Sequence, residues 1–360
     1  MINPYEIKIP ALDAEVMHAA EARQNALAKP PHSLGMLEEI SVRFAGMTGR
    51  LYNYARKRRI LIFAADNGVV EEGVTSAPQS VTLAQTINFT RGLTGVAVLA
   101  KHYNTELRVV DVGINADFAQ PGVLNRKVAM GTKNLAKEPA MTREQALQAF
   151  ETGFELAQEA AREGVEILGV GEMGIGNTTT SSAVLSCLLG LTAEETTGRG
   201  GGVNDAGFER KKQIIDAAIC MHKPDPSDVV DVLAKIGGFD LCAMTGAFLG
   251  AAANRLPVVI DGYISAVAAL CASRICPACT DYFFASHISC ERGYMLAVDA
   301  MDVKPMFRLE MRLGEGSGCP IAFEVIDSAL TVLRDMATFE EARIDDAYLA
   351  EIRGDAHLQR

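Results

Sequence analysis

The chain has 360 residues, of which 49% are hydrophobic and 22% are charged, which is an ordinary composition for a globular protein with a large core. No run of 18 apolar, uncharged residues occurs, so the sequence excludes a membrane-spanning helix and extensive disorder. Thirty-four basic against 45 acidic residues give a net charge of −11, which would repel nucleic acid or an anionic bilayer unless basic residues cluster locally.

The N-terminus and the cysteines indicate a reducing compartment. The first ten residues carry charges without a continuous apolar segment, so the sequence predicts no secretory signal and a cytoplasmic location. Several of the eight cysteines lie in apolar helical runs, as reduced cysteines often do. Cys276 and Cys279 have the spacing of a zinc or redox pair, but no second pair or histidine cluster accompanies them. We therefore interpret them as a turn, and we predict no metal and no cofactor.

The first predicted elements are a strand, a broken helix and a second strand. The basic run at residues 56–59 leads into an apolar strand at 59–65, and we expect its side chains to be solvated. Asp66, Asn67 and Gly68 form a turn signal after that strand. Helical periodicity follows over residues 81–103, interrupted near Gly92 and Gly95, before a strand at 106–112.

The same alternation recurs further along the chain and predicts an α/β fold. The predicted elements are a helix at 142–162, a strand at 165–170, a helix at 178–189, a strand at 257–261 and a helix at 264–272. Such crossovers imply a mainly parallel sheet with helices on both faces. Helical patterns at 12–28, at 34–47 and beyond residue 320 predict a small helical domain of residues 1–50 plus 320–360, beside an α/β domain of residues 51–319.

The most informative segment is the glycine-rich turn that follows the strand at 165–170. Glycines stand at positions 169, 171, 174 and 176, and Asn177 or Thr178 can cap the helix that follows. Glycines allow close backbone approach to an anion, and the free N–H groups of a helix N-terminus supply donors. The segment therefore predicts an anion-binding cradle.

Two alternatives compete for this turn. Gly169, Gly171 and Gly174 satisfy a dinucleotide-binding spacing, and Glu194 falls about twenty residues later, which would suit a nicotinamide-dependent oxidoreductase. However, the helix caps come after Gly176, and Glu172 would place a carboxylate against the pyrophosphate. A tight turn that binds no ligand is the other alternative.

A second glycine-rich stretch, residues 198–207, precedes a helix that carries Arg210, Lys211 and Lys212. A cation close to a glycine loop can supply charge to a phosphate dianion. For Arg210 and Lys212 we favour a solvated helix face.

The third candidate site lies in residues 311–318, where glycines flank Glu315 on an open backbone. Glu315 and Glu172 are the only acids embedded in glycine-rich loops of this type, and such a pair can divide the roles of general base and electrostatic stabiliser. Ser286, His287 and Ser289 suggest a hydrolase only superficially, because no Gly-x-Ser-x-Gly elbow is present and a histidine rarely points at the serine beside it.

Several of these segments together resemble one enzyme family. They match, in order, signature segments of the nicotinate-nucleotide:dimethylbenzimidazole phosphoribosyltransferase (CobT) family. The matching segments are residues 29–35 (KPPHSLG), 65–69 (ADNGV), 171–179 (GEMGIGNTT), 198–200 (GRG), 204–207 (NDAG), 261–262 (DG), 286–287 (SH) and 312–318 (RLGEGSG). The resemblance implies a Rossmann-like domain, a small helical domain from both chain ends, and a dimer. It also implies transfer of phosphoribose from nicotinate mononucleotide to an aromatic base, which forms the lower ligand of a cobamide.

The resemblance also implies roles for individual residues. Glu315 matches the family's catalytic base, and Glu172 matches a second acidic site residue. The positions expected to bind the phosphate or nucleotide are Gly174, Gly176, Asn177, Thr178, Gly202, Lys211, Ser289 and Arg312. Ser80 and Gln85 are expected to lie near the aromatic acceptor.

One position departs from the family pattern. Asn67 stands where the family usually has histidine, which would alter the wall of the acceptor pocket. A branch of the family works as pairs of homologous subunits and attaches phenol or p-cresol through oxygen. A member of that branch, or a non-catalytic paralogue that serves as a partner subunit, therefore stays an alternative.

Overall fold

A seven-stranded, fully parallel sheet forms the centre of the computed structural model, which describes residues 2–349. Its strands are β1 (Arg58–Ala65), β2 (Glu106–Gly113), β3 (Val123–Asn125), β4 (Ile167–Met173), β5 (Val258–Ile260), β6 (Phe283–His287) and β7 (Pro305–Phe307). Across the sheet they lie in the order β3-β2-β1-β4-β5-β6-β7. The chain therefore progresses in opposite directions from β1, as in doubly wound Rossmann-like sheets. The predicted α/β class is confirmed.

Helices connect the strands and cover the sheet. They are α1 (Ala14–Ala26), α2 (Met36–Thr48), α3 (Ser80–Thr90), α4 (Gly95–His102), α5 (Arg143–Arg162), α6 (Asn177–Leu189), α7 (Ala193–Thr196), α8 (Asp205–His222), α9 (Val229–Ile236), α10 (Phe239–Ala253), α11 (Tyr263–Ile275), α12 (Tyr294–Asp299), α13 (Cys319–Asp335) and α14 (Phe339–Ala342). α10 and α11 pack against the central strands, and α13 packs against β4, β5 and β6. None of the helices within residues 2–349 is both long and apolar enough to cross a bilayer.

The closest helix pair is α5 and α10, whose backbones touch. A Cβ atom at Gly153 would lie 1.7 Å from the carbonyl oxygen of Ala243, and one at Gly246 would lie 1.9 Å from that of Phe150. Neither position tolerates a side chain, because a backbone atom cannot move aside as a side chain can. α10, whose first turn carries Asp240, also packs against β1, β2, β4 and β5.

The predicted elements are confirmed where local periodicity is strong. The interrupted helix appears as α3 and α4, and Thr142 caps α5 through a capping box with Gln145. Local sequence patterns do not predict β3, β6 and β7. Each has five residues or fewer, and β3 and β7 are only partly buried, so neither has a long apolar run.

The basic run at residues 56–59 is solvated only in its first half. Arg58 and Arg59 are buried, which corrects the expectation of a solvated start to the strand. Arg58 pairs with Glu324, and the Arg59 guanidinium lies 2.7 Å from Glu106. Burial of these long side chains is possible because acids from distant segments pair with their charges.

Segments near the two chain ends pack together beside the sheet. α1 and α2 contact each other and α13, and Ala20, Val42, Ala45 and Leu333 form a small separate hydrophobic cluster. α13 also lies on the sheet. The division into residues 1–50 plus 320–360 and residues 51–319 stays a prediction, and residues 1 and 350–360 lie outside the described part of the chain.

Candidate active site

A cleft of about 230 Å³ opens where β4, β5 and β6 end. In parallel sheets of this order, ligands bind at the carboxyl ends of the strands, next to the point where the chain reverses direction across the sheet. The cleft is lined by the turn after β4, the start of α11, His287 at the end of β6, and Glu315, among others. The sheet thus brings together segments that lie far apart in the sequence.

The turn between β4 and α6 supplies a row of main-chain donors. Gly176 is the N-cap residue of α6, with φ of 93°, a left-handed conformation that favours glycine. The prediction that Asn177 or Thr178 caps the helix is therefore wrong, since the helix already begins at Asn177. Within residues 2–349, no hydrogen bond uses the main-chain N–H of Gly176 or Thr178. These two donors and the helix dipole can bind an anion.

Lys211 extends from α8 to this turn. Its side chain is buried, and its Nζ donates to Thr178 Oγ1 at 2.8 Å and to the Gly198 carbonyl at 3.3 Å. Burial lowers the pKa of Lys211 from 10.5 to about 8, although Glu291 partly offsets this effect. A buried ammonium with two neutral partners would gain from a bound dianion.

The other expected nucleotide residues lie around the mouth of the cleft. Ser289 is buried and lines it, while Arg312 is exposed and lines both this cleft and an adjoining groove. Gly202 lines only the groove, where its carbonyl accepts a hydrogen bond from Ser76. No hydrogen bond or ion pair of the Arg312 guanidinium occurs among the described residues, so it can approach a ligand.

Glu172, near the end of β4, is a buried acid held on both carboxylate oxygens. Its Oε2 accepts from the Asn177 amide, and its Oε1 accepts from the main-chain N–H of Glu315 at 3.3 Å. Asn177 also donates to Asp240 Oδ2 at 3.0 Å, so its amide nitrogen bridges two carboxylates. Burial, together with the nearby Asp240 and Asp261, raises the pKa of Glu172 from 4.5 to about 8. Asn177 thus holds this acid as well as lying at the anion cradle.

Glu315 stands opposite Glu172 in a strained backbone position. Its φ is 64°, in the left-handed region that non-glycine residues seldom occupy and that often marks functional sites. Gln85 Nε2 donates to Glu315 Oε1 at 3.1 Å, whereas the buried Oε2 has no hydrogen-bond partner among residues 2–349. Burial raises the pKa of Glu315, which the N–H groups of Val96 and Gly95 partly offset. Oε2 lies against Gly95 at the start of α4, and the carboxylate as a whole lines the cleft, where it can accept a proton.

Asp261, directly after β5, fixes the loop that carries Glu315. Its Oδ2 accepts from the Gly316 N–H at 2.9 Å, and its Oδ1 accepts from the Gly318 N–H at 2.6 Å. The loop also lies directly against β4, because a Cβ atom at Gly171 would lie 2.6 Å from the Gly316 nitrogen. Burial raises the pKa of Asp261 from 3.8 to about 7.

The two residues expected near the acceptor are placed differently. Gln85 lines the cleft beside Glu315, but Ser80 is exposed and lies outside its lining. Asn67 is fully buried behind the β4–α6 turn and does not line the cleft, so the expectation that it alters a pocket wall is not met. Both polar atoms of its side chain lack a hydrogen-bond partner among the described residues.

Ser286 and His287 contact each other, contrary to the expectation from their adjacency. The Ser286 Oγ lies 3.0 Å from His287 Nδ1 and donates to the Asp261 carbonyl at 2.7 Å. With its proton used there, Ser286 accepts from Nδ1–H, so His287 cannot act as its base. Burial lowers the pKa of His287 to about 4, which leaves a neutral ring that lines the cleft.

Sequence reasoning did not assign roles to Asp240, Asp261 or His287. Asp261 and His287 follow or end buried strands, and this position was a usable signal. Asp240 lies in the first turn of α10, just after Gly237 and Gly238, and its contact with Asn177 reveals its place at the site.

Comparison with known proteins is consistent across sequence and structure. A family model described as phosphoribosyltransferase (DBI_PRT) matches residues 9–344. A relative from Clostridium perfringens (strain ATCC 13124), named nicotinate-nucleotide–dimethylbenzimidazole phosphoribosyltransferase, is 52% identical over 353 residues, covering 98% of each chain. A relative of the same name from Ruminiclostridium cellulolyticum is 52% identical over 337 residues, 94% of this chain and 96% of its own.

Solved structures agree with this similarity. A crystal structure of nicotinate-nucleotide–dimethylbenzimidazole phosphoribosyltransferase from Thermus thermophilus superimposes with a TM-score of 0.88 at 38% identity, covering 93% of this chain and 100% of its own. A structure of CobT from the same organism has a TM-score of 0.89 at 39% identity, with 92% and 100% coverage.

Proposed function

The chain belongs to the nicotinate-nucleotide:dimethylbenzimidazole phosphoribosyltransferase family, and on that basis we propose how its residues divide the work of phosphoribosyl transfer. It is a pentosyltransferase of cobamide lower-ligand synthesis. The reaction moves the 5-phosphoribosyl group of nicotinate mononucleotide to an aromatic base and releases nicotinate. The relatives carry the name of dimethylbenzimidazole, so the phenol alternative is not favoured.

The donor phosphate is bound by the β4–α6 turn and Lys211. Gly174 and Gly176 allow close approach, the N–H groups of Gly176 and Thr178 donate, and the Lys211 ammonium supplies charge. A bound dianion raises the pKa of Lys211 and keeps it protonated. Gly202, Ser289 and Arg312 serve the outer part of the nucleotide.

Glu315 is the general base, and the observation that carries the assignment is its position in the cleft lining, where Gln85 holds its carboxylate. A benzimidazole nitrogen attacks the ribose C1′ and forms the new C–N bond. The bond from C1′ to the pyridinium nitrogen breaks, and its electron pair returns to the ring, so nicotinate leaves without needing an acid. The other benzimidazole nitrogen gives its proton to the Glu315 carboxylate.

Glu172 stabilises positive charge at the ribose. In the ligand-free enzyme its pKa of about 8 keeps it largely protonated at neutral pH. A cationic pyridinium donor favours the ionised form, so donor binding provides the carboxylate where the oxocarbenium character develops. The neutral His287 can accept a hydrogen bond from a substrate hydroxyl.

The acceptor binds beside Gln85. We also propose that the enzyme is a homodimer and that it works in the cytoplasm. All eight cysteines are free thiols, which suits a reducing compartment. Ser80, being exposed, would contact the acceptor only at the rim of the cleft.

The assignment is tested by incubating the enzyme with nicotinate mononucleotide and 5,6-dimethylbenzimidazole and measuring nicotinate release. Glu315→Gln should lower kcat by about 10² to 10⁴ with a smaller effect on KM. A dehydrogenase would release no nicotinate, and an inactive paralogue would require a homologous chain for turnover. Near wild-type turnover in Glu315→Gln would refute the base assignment.

A further inference from the structure

A chain of two side-chain amides leads to the proposed base from the surface of α3. Asn88 Nδ2 donates to Gln85 Oε1 at 3.0 Å, and Gln85 Nε2 donates to Glu315 Oε1 at 3.1 Å. Asn88 and Gln85 are three residues apart on α3 and so share one helix face. Gln85 lines the cleft, whereas Asn88 stands behind it.

The direction of both hydrogen bonds is fixed by chemistry. A carboxylate can only accept, so Gln85 must turn its nitrogen toward Glu315 and its oxygen away. That oxygen in turn needs a donor, which Asn88 provides through its own amide nitrogen. Each group in the chain therefore sets the orientation of the next.

We propose that Asn88 is a positioning residue for the proton transfer: by fixing the Gln85 amide, it keeps a donor on Glu315 Oε1 and so holds the carboxylate in the orientation in which it lines the cleft. This inference rests on the proposed role of Glu315 as the base. The fixed amide matters most after Glu315 has gained the proton. A Gln85 side chain free to turn over could then accept from the new O–H and hold the proton in place, whereas Asn88 opposes that turn.

The surroundings of Glu315 contain other charged groups, but none belongs to α3. Residues 80–90 include no titratable side chain. Glu172 accepts the Glu315 N–H, Asp261 binds the Gly316 and Gly318 N–H groups, and the N-terminal end of α4 faces the carboxylate. A change at Asn88 therefore reaches Glu315 only through Gln85 or through an added charge.

Two substitutions and one matched control test the proposal. Asn88→Asp keeps the size but cannot donate when ionised, and Asn88→Ala removes the donor without adding charge. Ala84→Asp adds the same charge at an exposed position of the same helix. The measurement is the pH profile of kcat/KM for 5,6-dimethylbenzimidazole with saturating nicotinate mononucleotide.

We expect the acid limb of the Asn88→Asp profile to move to higher pH. The Gln85 amide, no longer fixed by Asn88, donates less well to Glu315, and the new carboxylate at position 88 lies nearby, so both changes raise the pKa of Glu315. Asn88→Ala should lower kcat about threefold to tenfold, the loss expected for one hydrogen bond, with a smaller move of the limb in the same direction. Ala84→Asp adds a charge one turn from Asn88 but keeps the Asn88 donor, so it should leave kcat unchanged and move the acid limb less than Asn88→Asp does.

The outcomes separate this inference from the base assignment. If Glu315→Gln loses turnover while both Asn88 variants match Ala84→Asp in kcat and in the acid limb, Asn88 has no positioning role and the base assignment stands. If Glu315→Gln retains turnover, both fail. Should Asn88→Asp not fold, Asn88→Ala decides, since it introduces no charge beside the helix.

Discussion

Replacing Lys211 by Met should stabilise the ligand-free enzyme while weakening its hold on the donor. The lowering of the Lys211 pKa from 10.5 to about 8 corresponds, at about 1.4 kcal/mol per pKa unit, to a folding cost of about 3 kcal/mol at neutral pH. Met fills a similar volume without charge. Loss of the hydrogen bonds to Thr178 and to the Gly198 carbonyl destabilises the variant by about 1 kcal/mol each. The expected net increase in the free energy of unfolding is therefore about 1 kcal/mol.

The sign of this effect changes with pH in a predictable way. Folded Lys211 binds its proton less tightly than the unfolded chain does, so wild-type stability rises between pH 8 and 10.5 relative to Lys211→Met. The advantage of the variant at neutral pH should therefore shrink or reverse at about pH 10. Urea unfolding of the ligand-free proteins at the two pH values measures it.

The donor should respond in the opposite sense. Charge-assisted hydrogen bonds contribute about 1.5 to 3 kcal/mol, so the KM for nicotinate mononucleotide should rise about 10-fold to 100-fold, with less change in kcat. Lys212→Met is the matched control, since Lys212 follows Lys211 on α8 but pairs with Glu194 and Glu209; its side chain is only 12% exposed, so the expected solvated position is not met. A variant that is less stable at both pH values by the same amount, with an unchanged donor KM, would show that Lys211 is a structural residue.

Other substitutions probe the carboxylates, the loop contact and the buried arginine. Glu172→Gln should flatten the dependence of the free energy of unfolding on pH. The raised pKa of Glu172 makes the ligand-free wild type lose stability as pH rises from 4.5 through about 8, and the variant lacks this loss. An equal pH dependence of unfolding free energy in the two proteins would contradict this. Gly171→Ala should lower the free energy of unfolding by about 1–3 kcal/mol and kcat more than tenfold, because its Cβ would clash with the Gly316 backbone beside the base. Thermal unfolding and steady-state kinetics measure the two effects. Full activity would mean that the loop moves without disturbing the base. Arg59→Met should lower the free energy of unfolding by about 1–3 kcal/mol, because the pairing with Glu106 is lost, and should leave kcat unchanged. An unaltered melting temperature would show that the ion pair contributes nothing to stability.

Features that depend on neighbouring residues could be predicted from the chain alone. β1, α5 and the β4–α6 turn follow from apolar runs, a capping box and glycines, all of which act within a few residues. Glu172 and Glu315 stood out because each is an acid among glycines. The ordered motifs also identified the family, whose model matches residues 9–344.

How these parts meet could be read only from the folded chain. Lys211 reaches Thr178 across 33 positions, and Asp240 meets Asn177 across 63. Whether Arg59 is buried depends on acids from other elements, and the orientation of the Glu315 carboxylate depends on Gln85, 230 positions away. Such contacts depend on the strand order, which places distant segments at one edge of the sheet, and local periodicity carries no record of that order.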